Sequence, residues 1–147
     1  MTVTVFVDTN VLVYSRDDGH PEEQGRARAW LDEVARAGTP KLSFQVLVEL
    51  YSVITSKLSG LVTEAVVRDL VVSLLPWDPI GPSAALIDAA WRVQDRFGLS
   101  WWDAQIVAAA QLQGCAYLLT EDLQHGQRFG DLTVVSPFQA TAADILR

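Results

Sequence analysis

Cysteine is nearly absent from this chain: Cys115 is the only one among 147 residues. An internal disulfide is excluded, as is a zinc site built from several thiolates, and a reducing cytosol is the expected compartment. Histidine is almost as scarce, with only His20 and His125, which excludes a metal centre built mainly from imidazoles. No apolar run is long enough to span a bilayer. The start, Met-Thr-Val-Thr-Val-Phe, lacks the basic region and long apolar core of a secretory signal. There is no Walker loop, dinucleotide fingerprint or nucleophile elbow. Positive charge is also short: 11 Lys and Arg face 18 Asp and Glu, giving a net charge of −7 and a pI of about 4.6. The bases are thinly spread, at Arg16, Arg26, Arg28, Arg36, Lys41, Lys57, Arg68, Arg92, Arg96, Arg128 and Arg147. Phosphate binding normally rests on such residues, so the balance counts against a nucleic-acid ligand unless a cluster of acids recruits a cation.

What is present is a globular composition, half hydrophobic and one fifth charged, which reads as one domain over residues 1–147. Thr2 to Val7 is apolar on both faces, as a central parallel strand would be. Pro21 opens a helix to about Ala37, closed by Gly38, with Ala27, Trp30, Leu31 and Val34 at helical spacing. A short strand is expected over Lys41 to Phe44, then a helix from Gln45 to about Leu58 bearing Val46, Leu47, Leu50, Val53 and Ile54. Thr63 starts a helix to about Leu74, and Leu75 to Asp78 reads as a short strand at best. Ser83 caps a helix over Ala84 to Phe97, stopped by Gly98, and Ser100 caps the next, ending at Gly114. Ala116 to Leu119 and Leu132 to Val135 are the last strands. Such alternation predicts a three-layer α/β/α sandwich on a mostly parallel sheet, whose ligands gather beyond the carboxyl ends of the strands.

Four acids, Asp8, Glu49, Asp103 and Asp122, each sit at a strand end or near a helix start among apolar neighbours. Each has an ordinary explanation. Asp8 can close a strand in an Asx turn. Glu49 can be a solvated helix position, although Gln45, Ser52, Ser56 and Lys57 already supply a polar face. Asp103 has capping-box spacing from Ser100. Asp122 competes with Glu121 at a strand-to-loop turn. The alternative for all four is joint metal binding, because oxygen-rich clusters suit Mg²⁺ or Mn²⁺. At an effective dielectric of 20, two unit charges ~4 Å apart repel by roughly 4 kcal/mol, so clustered acids need a cation to stay ionised together. A nucleophilic Asp8 of the haloacid dehalogenase type would need a second Asp two residues on, and Asn10 stands there. His125 reads as a surface-loop histidine and Cys115 as a small buried residue. Of the adjacent Trp101 and Trp102, one is expected in the core and the other free for stacking or protein contact.

Taken together, these segments resemble the PIN-domain family, and within it the toxin ribonucleases of bacterial toxin–antitoxin pairs (VapC type). The matching pieces are Val7-Asp8-Thr9-Asn10-Val11-Leu12-Val13-Tyr14 and Ser43-Phe44-Gln45-Val46-Leu47-Val48-Glu49-Leu50-Tyr51. Further on are Ser100-Trp101-Trp102-Asp103-Ala104-Gln105-Ile106, Leu118-Leu119-Thr120-Glu121-Asp122 and the ending Val135-Ser136-Pro137-Phe138. The resemblance implies an endoribonuclease that cleaves RNA with Mg²⁺ or Mn²⁺ held by Asp8, Glu49, Asp103 and Asp122, supported by Asn10 and Thr120. It also implies a homodimer and a cognate antitoxin. The doubled acid Glu121-Asp122 departs from the pattern and leaves open which of the two reaches the metal. Two other readings stand beside it: a PIN-like binding module, with a partner groove formed by the apolar helices around Trp30 and Leu50, and a small metal-dependent phosphatase.

Overall fold

The apolar run Val3–Val7 forms β1, the strand around which the sheet is built, in a computed structural model that describes residues 2–146. Met1 and Arg147, the two ends of the expected domain, lie outside the described residues. Successive strand residues point to opposite faces, yet Val5, Phe6 and Val7 are all fully buried. Helices therefore cover the sheet on both sides, in the expected three-layer α/β/α arrangement.

In chain order the elements are β1, α1 (Thr9–Tyr14), α2 (Pro21–Ala37), β2 (Gly38–Lys41), α3 (Phe44–Lys57) and α4 (Glu64–Leu74). Next come α5 (Ala84–Phe97), α6 (Trp101–Leu112), β3 (Tyr117–Leu119), β4 (Arg128–Phe129), β5 (Leu132–Val135) and α7 (Ala142–Ile145). The strand order is β2-β1-β3-β5-β4, parallel except for β4 against β5. From β1 the chain crosses to β2 on one side, and later strands fill the other, so the order reverses between β1 and β3. Register carries this to the site: Val7 pairs with Leu119, and Leu119 with Val135. Asp8 and the stretch from Thr120 to Asp122, which come directly after those pairs, thus leave the sheet at one edge. The Asp8 N–H donates to the Leu119 carbonyl (3.1 Å) and fixes that alignment.

The caps read from the sequence form. Ser43, Thr63, Ser83 and Ser100 each accept from the backbone N–H three residues on, and Gly98 ends α5 at φ 68°. Two expectations fail. The strand expected over Lys41 to Phe44 lies three residues earlier, at Gly38–Lys41. Pro40, which lacks an N–H, is tolerated there because β2 is an edge strand. Gly38 ends α2 by extending directly into β2 (φ −119°) and not through a left-handed cap. Leu75–Trp77 is a 3-10 turn and not a strand, because Pro76 fixes the φ that such a turn needs. Short α1, β4 and α7 fall below the length at which periodicity speaks.

The side chains around Trp30 and Leu50 are core: Trp30 is 2% exposed and donates its indole N–H to the Ala140 carbonyl, and Leu50 is fully buried. The helix around Leu50, α3, does border an apolar groove, through Phe44, Val48 and Val53, whereas the helix around Trp30 contributes no residue to it. Exposed apolar side chains include Phe44 and Val48 of α3, Val72 of α4, Leu75 and Trp102. Cys115 is buried, and burial pushes its thiol up to about 12, so it is inert. Among the described residues, no helix is long and apolar enough to cross a membrane.

Candidate functional site

Asp8 is held at the end of β1 by its contacts with the next turn of chain and with the end of β3. Its backbone is extended, and its Oδ1 accepts the Thr9 N–H (2.7 Å), capping α1. This is the turn-forming role read from the sequence, and it occupies one oxygen only. The other, Oδ2, accepts the Thr120 hydroxyl (2.8 Å) from the end of β3 and the more distant Asn10 amide (3.4 Å). Asn10, two residues into the same turn, also donates to Thr120 Oγ1 (3.0 Å) and Asp122 Oδ2 (3.1 Å). The Asp122 N–H in turn donates to Thr120 Oγ1 (3.1 Å). Asp8, Asn10, Thr120 and Asp122 are thus one hydrogen-bonded group spanning two strand ends.

Glu49 joins from α3. Its Oε2 accepts the Thr9 hydroxyl (3.0 Å) and its Oε1 the Gln45 amide (2.9 Å) one turn earlier. The Gln45 contact was legible as an i, i+4 pair, whereas Thr9 as the link from Glu49 to the strand end was not. Among the described residues Asp103 shares no hydrogen bond with the other acids. Its N–H donates to Ser100 Oγ (3.1 Å), and its carboxyl also meets the Ser100 side chain, so the cap contact read from the sequence is present. Glu121 turns away: it bonds the Tyr14 side chain, which raises the Tyr14 pKa along with burial, the larger cause. His125 Nδ1 accepts the Ser136 N–H (3.0 Å) and ties the β3–β4 loop to the end of β5.

Electrostatics couple the four acids more widely than hydrogen bonds do. Asp8 is 6% exposed, and its pKa is pushed up to about 7. Burial is the main cause; the Thr120 and Thr9 bonds pull the other way, and the charges of Asp122 and Glu49 push up again. Asp103, half-buried, is raised by burial and by the same two charges, against an opposing contact with Ser100. All four carboxylates therefore lie in one field, and among the described residues no positive charge acts on Asp8 or Asp103. Their donors are hard oxygens, the ligand type suited to Mg²⁺ or Mn²⁺. Among the described residues no three Asp, Glu, His or Cys side chains are gathered closely enough to enclose an ion unaided. That still fits Mg²⁺, which keeps several waters and is held by one or two carboxylates together with substrate phosphates. Asp8 and Asp122 are the two carboxylates bridged by the Asn10 amide.

The cleft beside this group, about 390 Å³, is lined by residues of α1 and the loop after it, by Glu49, Val53 and Lys57 of α3, and by Glu121 and Asp122. An apolar groove of about 670 Å³ adjoins Glu49, lined by Phe44, Val48, Val53, Leu86 and Trp102. Trp102 is the exposed partner of its pair, at 63%, while Trp101 packs on the core.

Comparison with known proteins bears on the whole chain. The sequence matches the PIN domain family over residues 5–128. No curated protein matches it by sequence. Among solved structures, a chain of a toxin–antitoxin complex from Klebsiella pneumoniae superposes with a TM-score of 0.65 at 19% identity, over 92% of this chain and 99% of that one. VapBC2 from Rickettsia felis, bound to a DNA fragment from its promoter, gives 0.63 at 18% identity over 91% and 98%. VapC20 of Mycobacterium tuberculosis, a toxin that cleaves the sarcin-ricin loop, gives 0.59 at 21% identity over 78% and 86%.

Proposed function

The chain belongs to the PIN domain family, and on that premise we propose that it is a metal-dependent endoribonuclease, the toxin of a bacterial toxin–antitoxin pair. The observation that carries this is the buried Asp8, its pKa near 7, sharing Asn10 with Asp122 at the carboxyl edge of a parallel sheet. A carboxyl so placed is costly as an isolated anion and useful beside a cation. Likeness to chains of toxin–antitoxin complexes, and to a toxin that cleaves the sarcin-ricin loop, supports the assignment.

In this reading Asp8 and Asp122 are the principal ligands of Mg²⁺ or Mn²⁺, with Glu49 and Asp103 completing its surroundings. When bound, the ion supplies Lewis acidity toward a phosphate oxygen and the attacking water. Thr120 and Asn10 hold the two ligands in register. Asp103, its pKa raised chiefly by burial, takes the proton from that water. Thr9 and Gln45 keep Glu49 facing the group.

The exposed apolar groove of Phe44, Val48 and Trp102 beside Glu49 supports a protein partner, which we assign as the cognate antitoxin. It also favours the second reading, a binding module without catalysis. Ile87 and Trp91, exposed on α5, support a homodimer, and the single buried thiol supports a cytoplasmic location. The test is cleavage of total RNA by the purified protein. Fragments should appear with MgCl₂ or MnCl₂ and disappear with EDTA. Intact RNA under all conditions, from protein that still binds an antitoxin, would leave the binding module standing instead.

A further inference from the structure

We propose that Lys57 and His20 form a nucleotide-gripping subsite in the cleft, Lys57 holding a backbone phosphate and His20 stacking on an unpaired base. This rests on the ribonuclease reading and answers the difficulty that reading faces, the shortage of positive charge. Most of the described bases are committed elsewhere. Arg36, Lys41, Arg68 and Arg92 pair with Glu33, Asp78, Glu64 and Asp88, while Arg26 and Arg28 donate to backbone carbonyls. Among the described residues Lys57 is the one Lys or Arg lining the cleft of the acids, and it has no ion pair there.

Helical spacing fixes where that charge sits. Glu49, Val53 and Lys57 are successive i, i+4 positions of α3, so they form one stripe along the cleft. Eight residues of helix separate the two Cα atoms by ~12 Å, so Lys57 is rooted about two turns beyond Glu49. Lys57 therefore meets a phosphate flanking the one beside the acids, and it acts in binding rather than in the chemical step. His20, from the loop between α1 and α2, lines the same cleft. Its ring is fixed by the Nδ1 contact to Asp17 Oδ2 (2.7 Å) and by the edge of Tyr14, with centroids 5.9 Å apart; Tyr14 is itself braced edge-on by Phe138. Yet the His20 side chain is 58% exposed. A ring that is both held and open is what base stacking needs, and unpaired RNA offers the bases. Lys57 also closes α3, where a cation favours the helix dipole. That role alone would appear in stability and not in RNA binding.

The experiment is fluorescence anisotropy with a labelled unstructured RNA of mixed sequence, in CaCl₂ and across a KCl series, alongside the melting temperature of each variant. Both side chains are exposed, so folding should survive. Lys57→Ala should weaken binding about fivefold and reduce the slope of log affinity against log salt by about 0.7, one phosphate on a single strand. Lys57→Arg should restore both. His20→Ala should weaken binding about fivefold or more with the slope unchanged. A Lys57→Ala slope equal to that of the native protein, with or without a change in melting temperature, overturns the Lys57 assignment, and unchanged affinity in His20→Ala overturns the stacking. Native protein that binds no RNA overturns the ribonuclease reading as well, whereas native binding with unaffected variants overturns the subsite alone.

Discussion

Asp8→Asn is expected to reduce metal-dependent RNA cleavage by about 10²–10³-fold, the scale on which loss of a single group that stabilises developing charge is felt. The substitution keeps the shape of the side chain and an oxygen able to accept from Thr120 or Thr9, so the strand-end geometry should persist. What it removes is the charge. In the metal-free protein that is a relief, because the Asp8 carboxylate is buried and faces Asp122 and Glu49. The variant should therefore melt at the same temperature as the native protein or higher in EDTA, while losing the gain that MgCl₂ gives the native form. Activity lost together with stability would point to a damaged fold. Undiminished cleavage would remove Asp8 from the reaction.

The second large effect is on stability as a function of pH. Asp8 titrates near 7 in the folded chain, against the usual 3.8 of an aspartate side chain. The folded state thus holds a proton that the unfolded chain has released, and its stabilising contribution is complete below pH ~4 and lost as pH rises through ~7. A difference of this size corresponds to roughly 4 kcal/mol across that window. Urea denaturation in EDTA at pH 5 and pH 8 samples the upper part of that window, roughly 2.7 kcal/mol. Other carboxyls, Asp103 among them, also titrate, so the informative quantity is the pH 5 to pH 8 change in native protein minus that in Asp8→Asn. Native protein should lose more stability on going to pH 8 than the variant does. MgCl₂ should shrink that difference, because a bound cation keeps Asp8 ionised in the fold. Equal pH dependence in the two proteins would mean that Asp8 carries no buried charge.

Much of this architecture was legible because it rests on local chemistry. Ser43, Thr63, Ser83 and Ser100 announce helix starts by hydroxyls that satisfy backbone N–H groups, and Gly98 announces a stop by its left-handed backbone. β2 was misplaced because Gly38-Thr-Pro-Lys carries no apolar signal: its pairing with β1 comes from the backbone and from its edge position. At the site, the sequence could name acids but not their relations. Asp122 meets the Asn10 amide and Glu121 meets Tyr14, contacts made across more than a hundred residues that no local pattern announces. Asp103 keeps its capping contact with Ser100 and also feels the charges of Asp122 and Glu49, two roles that spacing alone does not separate. The partner surface was legible in part: Trp30 and Leu50 belong to the core, yet α3, the helix that carries Leu50, borders the apolar groove through Val48, at 69% exposure on its other side. Periodicity marks an apolar face without saying what covers it.

The claim beneath all of this is that Asp8 and Asp122 share one divalent cation at the carboxyl edge of β1 and β3. Crystals grown with MnCl₂ and measured for anomalous scattering test it directly. The strongest peak should lie within bonding distance of carboxylate oxygens of both residues. A peak elsewhere on the surface, or none at saturating Mn²⁺, would contradict it.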